Sequence, residues 1–241
     1  MIENDATNCY DRILVQVACL ASLRAGLPKP MAAFLVSFLT KAKHFLLRSG
    51  QQSKQHYTDT SATRVEGTGQ GTGWSPALWT LVADILITAL SKYAGMLIDA
   101  PDGTSSDLRQ IEMYVDDSFQ SINAGGVRLH NLLNGVTLSL QEAANQANQA
   151  FERFLSISGG KLALEKTVFY HLAPRLDGTR KRYLSKRELQ TNLHVTENFG
   201  DDPVPLRQLE ADEPHKMLGV LIEPADLNTS QIADLKQKCS N

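Results

Sequence analysis

Apolar residues recur along this chain with two periods, that of a strand and that of a helix. A period of two runs through Ile111, Met113 and Val115, and strand-like character resumes over residues 119–122. This pattern predicts two strands joined as a hairpin. Asp116 and Asp117 fall between the two runs. The pattern therefore predicts two adjacent carboxylates at the tip of a hairpin.

The helical period marks the longer elements of the chain. Apolar spacing and helix-end signals predict helices over residues 10–26, 31–47, 76–89 and 144–155. Strands are predicted over residues 1–5, which end in Asp5, and over residues 162–170, which contain Lys166. A tight hairpin is predicted over residues 215–222. This order is typical of an α+β fold with helices packed on one face of a mostly antiparallel sheet.

A glycine-dense segment, residues 67–73, leads into the third predicted helix. Glycine lets the backbone bend sharply and lets a ligand approach it closely. Ser75 and Pro76 follow as an N-cap and a first helical residue. Two glycines at residues 125–126 predict a break in the chain.

Composition excludes some classes of protein and leaves others open. The chain has 241 residues, a net charge of −2 and three cysteines without metal-ligand spacing, so neither a disulfide framework nor a zinc site is predicted. Its longest apolar stretches, residues 31–39 and 77–90, are shorter than a membrane span. We expect a protein without membrane contact in an intracellular compartment, either cytoplasmic or nuclear.

The adjacent acids have two interpretations. Two carboxylates held side by side repel each other unless a divalent cation such as Mg²⁺ or Mn²⁺ lies between them. Asp is also a common turn residue, and on the dipeptide alone a solvated turn is the better interpretation. The decision between a metal site and a turn therefore depends on the rest of the chain.

Charge is unevenly distributed in the C-terminal third. A basic stretch contains Arg175, Arg180, Lys181, Arg182, Lys186 and Arg187. It is the best candidate in the chain for phosphate contacts, although a solvated charged loop explains it equally well. Residues 197–214 are acidic and proline-rich, which predicts a surface connection.

Five motifs, in order, resemble the palm domain of reverse transcriptases, the RNA-directed DNA polymerases. They span residues 5–11, 67–76, 114–117, 160–167 and 215–222. The third reads Tyr-Val-Asp-Asp, a form more typical of reverse transcriptases than of viral RNA-copying polymerases. The sequences around Asp5 and in the glycine segment look most like those of retrotransposon-type enzymes. The resemblance covers residues 1–222 and favours the metal site over the turn.

The resemblance implies an RRM-like or ferredoxin-like palm and two-metal nucleotidyl transfer with Mg²⁺ or Mn²⁺. It implies metal ligands in Asp5, Asp116 and the backbone carbonyl of Ala6. It gives Asp117 a supporting role, makes Lys166 the proton donor to pyrophosphate, and implies an RNA template, a DNA primer and a deoxynucleoside triphosphate as partners. The implied nucleotide contacts are Ala6, Asn8, Cys9, Tyr10, Gln70 and Gly71, and the implied primer grip contains Leu218 and Gly219.

The chain departs from the family at both ends. The family has a basic fingers region before Asp5 and a thumb after the fifth motif, whereas residues 223–241 form only a short tail here. We therefore expect reduced activity, and other parts of a retroelement polyprotein are expected as further partners. One rival hypothesis is a non-catalytic remnant of a retroelement, either a nucleic-acid-binding fragment or an inert product of a broken element. The other is an RNA-templated RNA polymerase.

Overall fold

The computed structural model describes residues 1–7, 9–57, 67–69, 72–217, 220–222, 224, 232–233 and 236–237. These residues form a mixed α+β structure, in agreement with the predicted fold class. The helices are α1 (Cys9–Arg12), α2 (Val15–Arg24), α3 (Lys29–Lys41), α4 (Ser75–Leu90), α5 (Ala124–Asn134), α6 (Leu140–Ile157) and α7 (Lys186–Leu189), with a 3-10 turn at Glu197–Phe199.

The strands are short, three to seven residues each. They are β1 (Ile2–Asp5), β2 (His44–Arg48), β3 (Gln51–Tyr57), β4 (Met96–Asp99), β5 (Ser106–Arg109), β6 (Ile111–Tyr114), β7 (Asp117–Gln120), β8 (Val168–Tyr170), β9 (Pro174–Asp177), β10 (Arg180–Tyr183), β11 (His194–Thr196), β12 (Pro203–Pro205), β13 (Arg207–Leu209), β14 (His215–Met217) and β15 (Val220–Ile222).

The chain divides into two compact units. Unit 1 contains Met1–Ala6, Leu90–Arg153 and Leu162–Asn241, and unit 2 contains Thr7–Ala89 and Phe154–Lys161. Unit 1 holds a five-stranded mixed sheet in the order β13-β8-β1-β7-β6. The central strand, β1, runs antiparallel to both of its neighbours, β7 and β8. The residues at the end of β1 are therefore held from both sides.

The core of unit 1 lies against both faces of the sheet. Phe169 and Ile2 pack with residues from the β11 region, and the partly buried Ala144 of α6 joins them; the buried members are Ile2, Phe169, Leu193, Val195 and Leu206. Val168 and Tyr170 point to the opposite face of β8, where they pack with Leu209. Because successive strand residues face opposite sides, a run of three buried residues means that β8 is covered on both.

The predicted strand over residues 162–170 is wrong in its first half. Only Val168–Tyr170 form β8, and Lys166 lies in a turn. The carbonyl of Ala163 accepts hydrogen bonds from the amides of Lys166 and Thr167 and from the Thr167 hydroxyl, at 3.0, 2.9 and 3.0 Å. These local bonds close the turn and move Lys166 off the ladder.

The acidic connection is also more ordered than predicted. Arg207–Leu209 form β13, which pairs with β8 in parallel and completes the main sheet.

The two glycines at residues 125–126 do not break the chain but lie in the first turn of α5. A Cβ atom on Gly126 would lie 1.9 Å from the carbonyl oxygen of Gly95, so the close approach of two backbones requires glycine there.

The predicted bounds of two helices in unit 2 are wrong. The helix predicted over residues 10–26 is split into α1 and α2, because the carbonyl of Ile13 accepts from the amide of Gly67 and the amide of Leu14 donates to Ser158. The helix predicted over residues 31–47 ends at Lys41, and residues from His44 onward form a hairpin. Its two turn residues, Ser49 and Gly50, have φ values of 51° and 77°, as in a type I′ turn.

Replacement of Phe169 by alanine is expected to lower the free energy of unfolding by about 3–5 kcal/mol, because it leaves a cavity in the core of unit 1. Urea denaturation measures this change. Leu176→Ala is the matched control: Leu176 is 74% exposed, so its loss is expected to change stability by less than about 0.5 kcal/mol. Equal effects of the two changes would contradict this description of the core.

Candidate active site

The predicted acidic hairpin is present as β6 and β7, but its turn lies one residue earlier than predicted, so that Asp117 begins β7 and is not part of the tip. Tyr114 pairs with Asp117 as the last rung of the ladder, and Val115 and Asp116 form the two-residue turn. Val115 has a φ of 55°, a left-handed conformation in which a β-branched residue is strained. Such strain costs on the order of 1–3 kcal/mol and is found mainly at functional sites. The tip is therefore held in place by its surroundings.

The tip of this hairpin is attached to the end of β1. The amide of Ala6 donates to the carbonyl of Asp116 at 3.0 Å, and Asp5 pairs directly with Asp117 across the antiparallel ladder. Side chains of directly opposed residues lie on the same face, with Cβ atoms about 4.5–5.5 Å apart. The fold thus brings together two carboxylates that are 112 positions apart in the sequence.

Lys166 supplies positive charge to this pair of acids. Its ammonium nitrogen lies 3.0 Å from Oδ2 of Asp5. The hydrogen bond to Asp5 raises the pKa of Lys166, and the charges of Asp5, Glu165 and Asp116 add to the rise. The Lys166 side chain is 62% exposed and that of Asp5 is 22% exposed, so this is a solvated contact that a competing cation can displace.

Glu3 and His215 extend the site and were missed by the sequence analysis. Glu3 is buried two residues before Asp5, and its Oε2 lies 2.6 Å from Nδ1 of His215 on β14. Burial raises the pKa of the Glu3 carboxyl, contact with His215 opposes the rise, and Asp117 adds to it. Glu3 lies two positions before Asp5 on β1, so the two side chains are on the same face of the strand. This spacing was the one signal in the sequence that could have placed Glu3 near the site. Nothing in the sequence around His215 marks it as the partner of Glu3.

A cavity of about 230 Å³ opens on this cluster. Its walls include Asp5, Asp117 and Lys166 from the predicted site and the Glu3–His215 pair below them. The structure therefore brings together residues of the first, third, fourth and fifth motifs in unit 1. Asp116 is joined to them through its backbone bond to Ala6 and its charge on Lys166.

Other predicted site residues belong to unit 2 or lie outside the described residues. Cys9 is buried and Tyr10 half-buried in α1, where the carbonyl of Tyr10 accepts from the amide of Thr68 at 2.7 Å. The glycine segment leads into α4 as predicted. The Ser75 hydroxyl lies within 2.8 Å of the Thr68 carbonyl and 2.6 Å of the Gly69 carbonyl. Five residues predicted to contact the nucleotide or the primer lie outside the described residues: Asn8, Gln70, Gly71, Leu218 and Gly219.

The donor atoms at this site match a divalent cation in chemistry. Carboxylate oxygens are the ligands that Mg²⁺ and Mn²⁺ prefer, and Asp5, Asp116 and Asp117 converge on one strand end. Across the described residues, however, no group of three or more His, Cys, Asp or Glu side chains is arranged to hold a metal ion. Lys166 is the cation paired with Asp5, so a metal ion there would have to displace its ammonium group.

Comparison with protein-family models gave no match, and neither did comparison with curated proteins. No helix within the described ranges is long and apolar enough to cross a membrane.

Val115→Gly is expected to raise the free energy of unfolding by about 1 kcal/mol, because glycine adopts a positive φ without the strain of a β-branched side chain. Thermal or urea denaturation measures the change. Tyr114→Gly, at the neighbouring and exposed strand position, serves as the control and is expected to be destabilising. If both changes destabilise equally, the turn at Val115 is not strained in solution.

Lys166→Met is expected to tighten Mn²⁺ binding by about tenfold, or about 1.4 kcal/mol, because it removes the positive charge that competes for Asp5. Isothermal titration calorimetry measures the affinity, and the double variant Asp5→Asn/Asp116→Asn identifies the site by abolishing binding. Lys92→Met, which removes an exposed lysine elsewhere in unit 1, is expected to leave the affinity unchanged. Binding that survives in the double variant would contradict the assignment.

Proposed function

We propose that this chain is the palm of a retrotransposon-type reverse transcriptase, which extends a DNA primer on an RNA template. The observation that carries the proposal is the pairing of Asp5 with Asp117 at the end of the central strand, with Lys166 on Asp5. These three residues come from three separate motifs of the palm resemblance. Their convergence on one cavity supports the proposal.

The reaction proposed is nucleotidyl transfer. The 3′-oxygen of the primer forms a bond to the α-phosphorus of the nucleotide, and the bond from that phosphorus to pyrophosphate breaks. Divalent cations, when bound, supply charge neutralisation at the attacking and leaving oxygens. Asp5 and Asp116, with the carbonyl of Ala6, are the residues proposed to hold them, and Asp117 supports the primer end.

Lys166 is proposed as the proton donor to the leaving pyrophosphate. The Lys166 ammonium group is protonated at neutral pH, so it carries the proton that this role requires. The contact with Asp5 supports this role because it places the ammonium group beside a residue proposed to hold the divalent cations. Tyr10 is proposed to stack under the incoming sugar and exclude a 2′-hydroxyl, with Gln70 and the amides of Asn8 and Cys9 on the nucleotide.

The second candidate is a non-catalytic, nucleic-acid-binding protein. The ion pair between Lys166 and Asp5 is compatible with this candidate, since the ammonium group can neutralise the Asp5 carboxylate. In a working polymerase that contact must open; in a remnant it would be a permanent stabilising pair. Activity is therefore the property that separates the two.

Primer extension on an RNA template tests the proposal. We expect incorporation of deoxynucleotides with Mg²⁺ or Mn²⁺ and a loss of at least about 100-fold in Asp116→Asn, because charge stabilisation in the transition state contributes on that order. Asp201→Asn, a matched change at an exposed position, is expected to retain full activity. No extension by the unaltered chain, or equal extension by Asp116→Asn, would favour the non-catalytic protein, whereas incorporation of ribonucleotides would indicate an RNA polymerase.

A further inference from the structure

The strongest concentration of positive charge lies in one segment of unit 1, residues 174–189. It contains six Lys and Arg residues against Asp177 and Glu188, a net charge of +4 in a chain whose net charge is −2. The segment consists of the hairpin β9–β10 followed by α7. We call these residues the basic arm.

The arm projects its first strand into solvent. All four residues of β9 are exposed, and Leu176 is 74% exposed. The hairpin is closed at its base by a hydrogen bond from the amide of Leu184 to the carbonyl of Ala173, at 3.0 Å. Its ladder sets Arg175 directly opposite Arg182, a like-charge pairing that is destabilising unless a negative charge lies nearby.

Two of the cations in the arm are used internally. The guanidinium of Arg182 binds both carboxylate oxygens of Glu188, each at 2.9 Å. That contact, with the bonds from Ser185, lowers the pKa of Glu188 to about 2, so the pair persists at any ordinary pH. Lys186 lies 3.4 Å from Glu213. Arg182 therefore joins the hairpin to α7, and Lys186 attaches α7 to Glu213 outside the arm.

Arg175 and Arg187 differ from these two cations. Both are exposed, and neither has an ion pair or a side-chain hydrogen bond within the described part of the chain. A guanidinium group presents a planar fork of donors that matches a phosphate group. The internal pairing of Arg182 thus leaves Arg175, on the opposite strand, to meet an anion from outside.

We propose that the basic arm binds the phosphate backbone of double-helical nucleic acid through Arg175 and Arg187. A single strand is bound chiefly by stacking bases on exposed aromatic rings, and Tyr183, the one aromatic residue of the arm, is half-buried. A membrane-surface element needs an apolar face beside its charges, whereas Leu176 stands alone. Contacts to phosphate carry no base specificity, so the arm binds duplexes irrespective of sequence.

The inference does not rest on the proposed polymerase activity, because phosphate binding needs neither a metal ion nor a nucleotide. Fluorescence anisotropy with a labelled RNA–DNA duplex of about 20 base pairs, in chelator and over a series of salt concentrations, measures it. In the Arg175→Gln/Arg187→Gln variant we expect about tenfold weaker binding near 0.1 M salt. We also expect a slope of log affinity against log salt that is smaller by about 1.4–1.8, since each lost contact removes about 0.7–0.9.

Three comparisons make this result specific. Arg128→Gln/Arg153→Gln, which removes two exposed arginines from helices of unit 1, is expected to change affinity less than about twofold. Arg175→Lys/Arg187→Lys keeps the charges and is expected to keep most of the salt slope. Asp201→Asn, at an exposed position outside the proposed active site, is expected to bind duplex like the unaltered chain. Duplex binding is measured in chelator, whereas primer extension requires a divalent cation, so a failure of catalysis and a failure of the arm are distinguishable.

Other outcomes would overturn the proposal. Equal losses from the two glutamine double variants would mean that net charge, and not the arm, determines binding. Binding of phosphatidylserine vesicles that depends on Arg175 and Arg187, without duplex binding, would identify the arm as a membrane contact. Melting curves followed by circular dichroism are expected to be the same for every arginine variant, since all four substituted arginines are exposed.

Discussion

The repulsion between Asp5 and Asp117 is the constraint on which the site depends. The register of β1 against β7 sets the two carboxylates directly opposite each other, an arrangement that is unfavourable in the absence of a nearby positive charge. Lys166 meets that need from a turn, with its ammonium group 3.0 Å from Asp5. The turn that contains Lys166 and the attachment of the hairpin tip to Ala6 bring these charges together at the end of β1.

Several unfavourable features are concentrated around the same strand end. Val115 takes a left-handed conformation, and the Glu3 carboxyl is buried with a raised pKa beside Asp117. A protein selected for stability alone would replace these features, because each one costs free energy that apolar packing elsewhere must offset. Their clustering near one strand end is the pattern expected where stability has been traded for function.

The basic residues discussed in unit 1 differ in whether they contact a carboxylate of the chain. Lys166, Arg182 and Lys186 each lie against a carboxylate of the chain itself, whereas Arg175 and Arg187 are open to solvent. A count of basic residues treats these cations as equivalent. Their partners divide them into those that maintain the structure and those available to another molecule, and this division underlies the inference drawn for the basic arm.

The sequence by itself determined the local elements of this protein. The acidic hairpin, the strand that ends in Asp5, and the helices α4 and α6 follow from periods of two and 3.6 and from the residues that end each run. Each of these patterns lies within about 20 neighbouring residues, so it can be recognised in the sequence without knowledge of the tertiary structure. The glycine-rich entry into α4 is of the same kind.

Tertiary structure decided everything that depends on distant partners. The register that opposes Asp5 and Asp117, the turn that holds Lys166, the contact of His215 with Glu3 and the parallel pairing of β13 with β8 all join residues far apart in the chain. The helix predicted through Ile13 and Leu14 is interrupted because the backbone groups of these residues form hydrogen bonds with Gly67 and Ser158, which are distant in the sequence. Local periodicity carries no information on such pairings, since their energy appears only when the chain has closed the loops between them.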